Sequence, residues 1–428
     1  MPSGKGRDVF TRLIIVVAAV LVMLPAGLRA DETLKLDDLL AEAGKNSPEL
    51  GAFRDRYEAA YERVPQAGSF DDPMLGLGFD NVPVDSFAFD REPMTGKVVE
   101  LSQAVPFFGK RGLKAEAAMH DARALEAGYR EKALMLRAGI KDVYYDLYAV
   151  RKGLEIVGKN ISLMDMFRKT AEARYSVGKG ILKDVVKAQV ETSMMIDKRI
   201  ELQKEEHTKR AYLGSLLGRE SAVTGEVEDI APTQLGMGRD ALVEAAMKGR
   251  PALAASGERV LKGQSMLELA GKGYYPDFTV SARYMQRDTL KDGTGQPDMV
   301  SAMLSMNLPV WTRTKQGPAV REAASERSMA DRERDMLVKE IYYKVDSLVD
   351  VVEQDDRTLK LYKEGVIPQA TDDLNSAVAG YEVGRVDFLD LLESRRTLFD
   401  YELGYYTTLA AREKAVAGLE AATGVEFK

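Results

Sequence analysis

Leu101-Ser102-Gln103-Ala104-Val105-Pro106 returns as Leu304-Ser305-Met306-Asn307-Leu308-Pro309, 203 residues further along the chain. The same offset links Asn46-Ser47-Pro48-Glu49-Leu50 to Gly249-Arg250-Pro251-Ala252-Leu253, and Asp72-Pro73 to Tyr275-Pro276. Later, Tyr175-Ser176-Val177-Gly178-Lys179 matches Tyr381-Glu382-Val383-Gly384-Arg385 at an offset of 206. A nearly constant offset across separate motifs marks a tandem duplication. The expected division is a leader at 1–30, a first repeat at 31–220, a linker at 221–240 and a second repeat at 241–428. Each copy reads as a helix, two short strands, a very long helix, a turn and another helix.

The strand segments alternate with period two. Val300, Ala302, Leu304, Met306 and Leu308 form one face, and Ser301, Met303, Ser305 and Asn307 the other. Phe278, Val280, Ala282 and Tyr284 alternate in the same way, with Leu75, Leu77 and Phe79, then Val99, Leu101 and Val105, as first-copy counterparts. Gln103 is the exception. A barrel wall between lipid and water has this pattern, and so does a half-buried antiparallel sheet in a soluble protein.

The long helices carry a 3.5-residue repeat. Leu136, Ile140, Val143, Leu147, Val150, Leu154, Val157, Ile161 and Met164 follow it without a break, as expected for a left-handed coiled coil. Ile341, Val345, Leu348, Val352, Asp355, Leu359, Tyr362 and Val366 repeat it with one polar intrusion, and Leu389, Leu392, Arg396, Phe399, Leu403, Tyr406 and Ala410 continue it. A helix over 110–177 would be ~100 Å long at 1.5 Å per residue. Pro368, inside helical pattern, is expected to kink its helix.

Residues 1–30 combine Lys5, Arg7 and Arg12 with an apolar run over 13–24 and a small-residue cleavage point at Ala30. This reads as a secretory signal peptide, with an uncleaved anchor as the alternative. The chain has no cysteine, so neither disulfides nor a cysteine-linked lipid are available. A net charge of −7 argues against nucleic acid as partner. No later stretch approaches the ~20 apolar residues of a spanning helix, so a membrane would have to be crossed by strands. Four strands cannot close a barrel in lipid, where an open edge leaves backbone groups unpaired. Two or three copies of the chain would supply eight or twelve.

Gln103-Ala104-Val105-Pro106-Phe107-Phe108-Gly109-Lys110-Arg111 at the strand-to-helix corner resembles TolC-family outer-membrane factors. So does Tyr381-Glu382-Val383-Gly384-Arg385-Val386-Asp387-Phe388-Leu389-Asp390-Leu391-Leu392-Glu393. The resemblance covers the chain after residue 30, and the Gly109-Lys110-Arg111 corner is most similar to the cation-efflux, CzcC- and CusC-like branch. It implies a mainly α chain with a small β part. Three copies would form a twelve-stranded outer-membrane barrel that continues into a periplasmic helical barrel. The implied partners are two further copies, outer-membrane lipid, a periplasmic adaptor and an RND-type inner-membrane pump.

Gly178 and Gly384 each end a long helix, where glycine supplies the left-handed conformation. The resemblance makes Val177-Gly178-Lys179 and Val383-Gly384-Arg385 the adaptor-docking tips, although a plain hairpin turn also needs glycine. Asp390 and Glu393, three residues apart on one helix face, would form two rings of acids that attract cations at the closed end. A solvated helix face is the ordinary reading of such a pair. Tyr381 and Asp184 match the family's gate-holding hydrogen-bond pair. Val386 stands where the family example has an arginine, with Arg385 one residue earlier.

An enzyme is not expected. His120 and His207 read as solvated helix positions, Met194-Met195 as packing, and Gly293-Thr294-Gly295 as a tip loop, with no metal site and no cofactor. The expected function is a passive efflux duct, for heavy-metal cations before drugs or secreted proteins. The other class is a periplasmic coiled-coil scaffold with a soluble sheet.

Overall fold

The structure, a computed structural model, describes residues 33–427; the expected signal peptide lies outside the described residues. The chain opens with β1 (Thr33–Leu34), α1 (Leu36–Asn46) and α2 (Pro48–Gly68). Ser47 starts α2 by accepting from the Leu50 amide, and Pro48 follows at the position where a missing N–H costs nothing. Strands β2 (Met74–Asp80) and β3 (Gly96–Val105) lead to α3 (Lys110–Ser176), which runs 67 residues, and α4 (Leu182–Leu216). Gly109, at φ +87°, turns strand into helix.

The connecting segment contains β4 (Glu226–Val227), which pairs with β1 in parallel. Helices α5 (Arg239–Gly249) and α6 (Pro251–Lys272), strands β5 (Phe278–Gln286) and β6 (Met299–Met306), and helix α7 (Gly317–Leu361) then restate the first series. Where Pro368 was expected to kink the helix, the chain widens into a π turn, Tyr362–Val366. Helix α8 (Ile367–Glu382) follows with Pro368 in its first turn, and the backbone stays helical across the junction, the Ile367 amide donating to the Tyr362 carbonyl. Helix α9 (Phe388–Thr423) ends the chain.

The four longer strands form one antiparallel sheet in the order β2-β3-β5-β6, so β3 and β5 join the two copies. The register carries each face across the whole sheet. Leu77, Val99, Tyr284 and Val300 share one row, and Leu75, Leu101, Ala282 and Ala302 the next. Among the described residues nothing covers this apolar face; Leu77 is 75% exposed and Val300 80%. The opposite face holds Ser102, Ser281, Ser301 and Ser305 with a charge cluster, where Arg283 donates to Glu100 (2.7 Å) and Asp80 (2.8 Å). Gln103, on the apolar face, directs its amide to the Asp71 and Ala104 carbonyls. The outer edges of β2 and β6 have no strand partner among the described residues.

In α3 the seam lies where the repeat placed it. Ile140, Leu147, Val157 and Met164 have at most 1% exposure. In α9 Leu392, Phe399 and Ala410 are buried as the repeat placed them, but two positions differ from expectation. Leu389 and Arg396 are exposed, while Phe388, Leu391 and Arg395 turn inward. Buried Arg395 is possible because Glu191 on α4 meets it at 3.0 Å. His120 also departs from expectation: it is largely covered and its Nδ1 lies 2.7 Å from Glu258 Oε2 between α3 and α6. His207 is exposed as expected.

Candidate functional site

Two helical hairpins, α3–α4 and α8–α9, end side by side in matching turns. In the first, Gly178 adopts φ +73°, with its amide on the Tyr175 carbonyl and the Lys179 amide on the Arg174 carbonyl. In the second, Gly384 adopts φ +78°, with its amide on the Tyr381 carbonyl and the Arg385 amide on the Gly380 carbonyl. Each is a left-handed helix ending of the kind glycine permits. Val177 and Val383 project from these turns, 66% and 70% exposed, and Lys179 and Arg385 are exposed beside them.

Below the turns the hairpins share a core of Met164, Phe167, Val185, Leu374, Phe388 and Leu391. Tyr381 is buried in it, tilted against Phe388 at 5.4 Å. Its hydroxyl reaches Asp184 Oδ2 on α4 at 3.5 Å, so the structure brings this expected pair together. Burial pushes the Asp184 carboxyl above the usual range, and the tyrosine hydroxyl draws it part of the way back. Burial, reinforced by the Asp184 charge, raises the Tyr381 phenol.

Asp390 and Glu393 sit apart from that pair on the exposed side of α9. Asp387 begins this helix by accepting from the Leu389 and Asp390 amides at 2.8 and 2.9 Å. Glu393 opens onto a groove shared with Lys187, Glu191, Lys198 and Arg396. The geometry offers exposed carboxylates to a cation; it offers no enclosed ligand set. Among the described residues no cluster of three or more His, Cys, Asp or Glu could hold a metal ion.

Arg174 escaped the sequence reading. It leaves the last turn of α3 and donates to the carbonyls of Tyr381, Glu382 and Lys179. Comparing the repeats could not flag it, because its counterpart 206 residues later is Gly380. That glycine is itself needed: a Cβ there would stand 2.4 Å from Val386 Cγ2.

Residues 242–425 match the family described as outer membrane efflux protein. The cobalt-zinc-cadmium resistance protein CzcC of Cupriavidus metallidurans is 23% identical over 339 residues, covering 78% of each chain. The outer membrane protein TolC of Vibrio cholerae is 20% identical over 395 residues, covering 90% of this chain and 88% of that one. Among solved structures, CusC superposes with a TM-score of 0.78 over 94% of this chain and 95% of its own, at 14% identity.

Proposed function

From the premise that this chain belongs to the outer membrane efflux protein family, placed in the outer membrane and reaching into the periplasm, we propose that three copies form one passive export duct. Channels of this family are homotrimers that work with an adaptor and a pump in tripartite systems. The observation that carries the reading is the sheet: four strands with two open edges and one uncovered apolar face. Lipid cannot satisfy open edges, and three such sheets joined edge to edge close a barrel of about twelve strands, within the range of known membrane barrels. The long helices then reach ~100 Å from it.

In this assembly Val177-Gly178-Lys179 and Val383-Gly384-Arg385 face the adaptor, and an RND-type pump lies beyond. Tyr381 and Asp184 hold the mouth closed. Asp390 and Glu393, once in each subunit, ring the entrance with acids. We assign heavy-metal cations as cargo, supported by those rings and by similarity to a cobalt-zinc-cadmium resistance protein.

The test is to purify the full-length chain from membranes in mild detergent, weigh it and image it. A trimeric tube with a detergent belt at one end is the expected result, and a belt-free monomer or dimer in the periplasmic fraction would sink the reading. In lipid bilayers, Asp390→Ala with Glu393→Ala should raise conductance and weaken block by divalent cations.

A further inference from the structure

We propose that Arg174 is a positioning residue that ties the two hairpins together at the tip and sets how tightly the duct is closed at rest. The inference rests on reading the tip as the mouth of a duct.

The guanidinium makes contact in four directions. Nη1 donates to the Tyr381 carbonyl and, at 3.1 Å, to that of Glu382. Nη2 donates to the Lys179 carbonyl at 3.3 Å. The guanidinium carbon lies over the Tyr381 ring, 4.7 Å from its centre. The Tyr381 and Glu382 carbonyls belong to the last turn of α8; the Gly384 amide already reaches the first, and Arg174 adds a side-chain donor to both. A cation there also meets the negative end of the helix dipole. The Lys179 carbonyl belongs to the other hairpin. One side chain therefore caps α8, braces the first turn and covers the tyrosine whose hydroxyl reaches Asp184.

Both turns are built closely around this arm. A Cβ on Gly384 would stand 3.1 Å from Nη2, and one on Gly180 would stand 3.0 Å from Arg174 Cβ. Because Gly380 occupies the equivalent place in α8, the link runs only from the first copy to the second. When it is cut, the turns keep only the Tyr381–Asp184 contact, the Arg395–Glu191 pair lying further along α9, and the loosened hairpin is the one that carries Asp390 and Glu393. Val386 has no group to form an ionic link. Arg174 supplies a cation from the opposite hairpin.

Arg174→Gln removes the charge and the fork while keeping a polar side chain. The full-length variant, reconstituted in planar bilayers, should conduct several-fold more than the unaltered trimer, with unchanged mass and only a small drop in unfolding temperature. Arg174→Lys keeps the charge but satisfies fewer carbonyls at once, and its conductance should fall between the two. An Arg174→Gln trimer of normal mass and normal conductance overturns the proposal. Should Arg174→Gln fail to assemble, the lysine variant decides: raised conductance upholds the proposal, and unaltered conductance overturns it. An unaltered trimer of the right shape that never conducts would instead overturn the duct reading, and this proposal with it.

Discussion

Arginine placed at Ala302 or at Ser301, one at a time, separates a membrane wall from a soluble sheet. Both positions are on β6 and both are exposed, so neither substitution creates a clash in the subunit core. Eight residues of strand at ~3.4 Å each give ~27 Å. At a tilt of ~40° this projects to ~21 Å, close to the ~25 Å apolar band of an outer-membrane barrel. Ala302 shares the middle row with Ala282, Leu101 and Leu75. An arginine there meets lipid near the midplane and should cost about 2–4 kcal/mol per chain, or roughly 30- to 700-fold in the folding equilibrium at 1.4 kcal/mol per decade. Ser301 points the other way and pairs with Arg283 beside Glu100. Its arginine stays in water, and the like-charge repulsion from Arg283 costs under ~1 kcal/mol. Urea titration of the chain folded into lipid vesicles would measure both. The one tryptophan, Trp311, follows β6 and is 69% exposed, so its fluorescence reports on the right end of the strand. Equal penalties at the two positions would mean that both faces see the same medium, which refutes the membrane placement of this sheet.

Glu191→Gln strands the buried Arg395 guanidinium and should cost ~3–5 kcal/mol, whereas Arg395→Met replaces it with an apolar chain and leaves Glu191 its Lys187 partner at 3.2 Å. Thermal unfolding of the two variants checks the asymmetry, and a milder loss for Glu191→Gln would contradict it. Asp355 is buried on α7 with its Oδ2 unpartnered among the described residues, and burial, aided by neighbouring Asp356, raises its carboxyl above the 3.8 of an ordinary aspartate. A folded-state value above the unfolded one means stability falls as pH rises through it. Asp355→Asn should therefore raise the unfolding temperature at neutral pH, and the gain should fade as the medium is acidified towards 3.8; a gain that grows on acidification would refute the assignment. Gly178→Ala and Gly384→Ala each force alanine into the left-handed region, at about 1–2 kcal/mol. Only the second also presses on Arg174, so unfolding should register both and conductance should rise in Gly384→Ala alone.

Some of this fold is legible in sequence because the physics leaves one solution. A run from Leu136 to Met164 with a 3.5-residue period has a single inward stripe, and the stripe is where it was expected. Period-two segments likewise assign every side chain of β5 and β6 to a face. The failures occur where a distant partner chooses between neighbours. Spacing alone selects Leu389 and Arg396 in α9; the cap at Asp387 and the carboxylate at Glu191 make Phe388 and Arg395 the inward pair instead. Strand order is equally hidden, since two duplicated hairpins could stand apart as readily as join through β3 and β5. His120 looked solvated because Glu258 lies 138 residues away.

Duplication explains why the tips match, but a mouth that opens requires the copies to differ. Several departures from the repeat lie at or near that end. Asp387, which caps α9, has Ile181 as its counterpart, and Glu393 has Lys187. Arg174 has Gly380, and the π turn before α8 interrupts the second copy where α3 runs unbroken. Asp390 and Asp184 occupy equivalent positions, yet Asp184 meets the Tyr381 hydroxyl while Asp390 stands exposed. One hairpin has thus kept the plain coiled-coil role, anchored by the unbroken α3. The other differs by a cap at Asp387, an extra acid and a π turn, and at the turns it is tethered to the first through an arginine it does not own. A hairpin built in this way can shift against a fixed neighbour when the tether is released, which is why Arg174 is expected to govern conductance more strongly than any residue the two copies share.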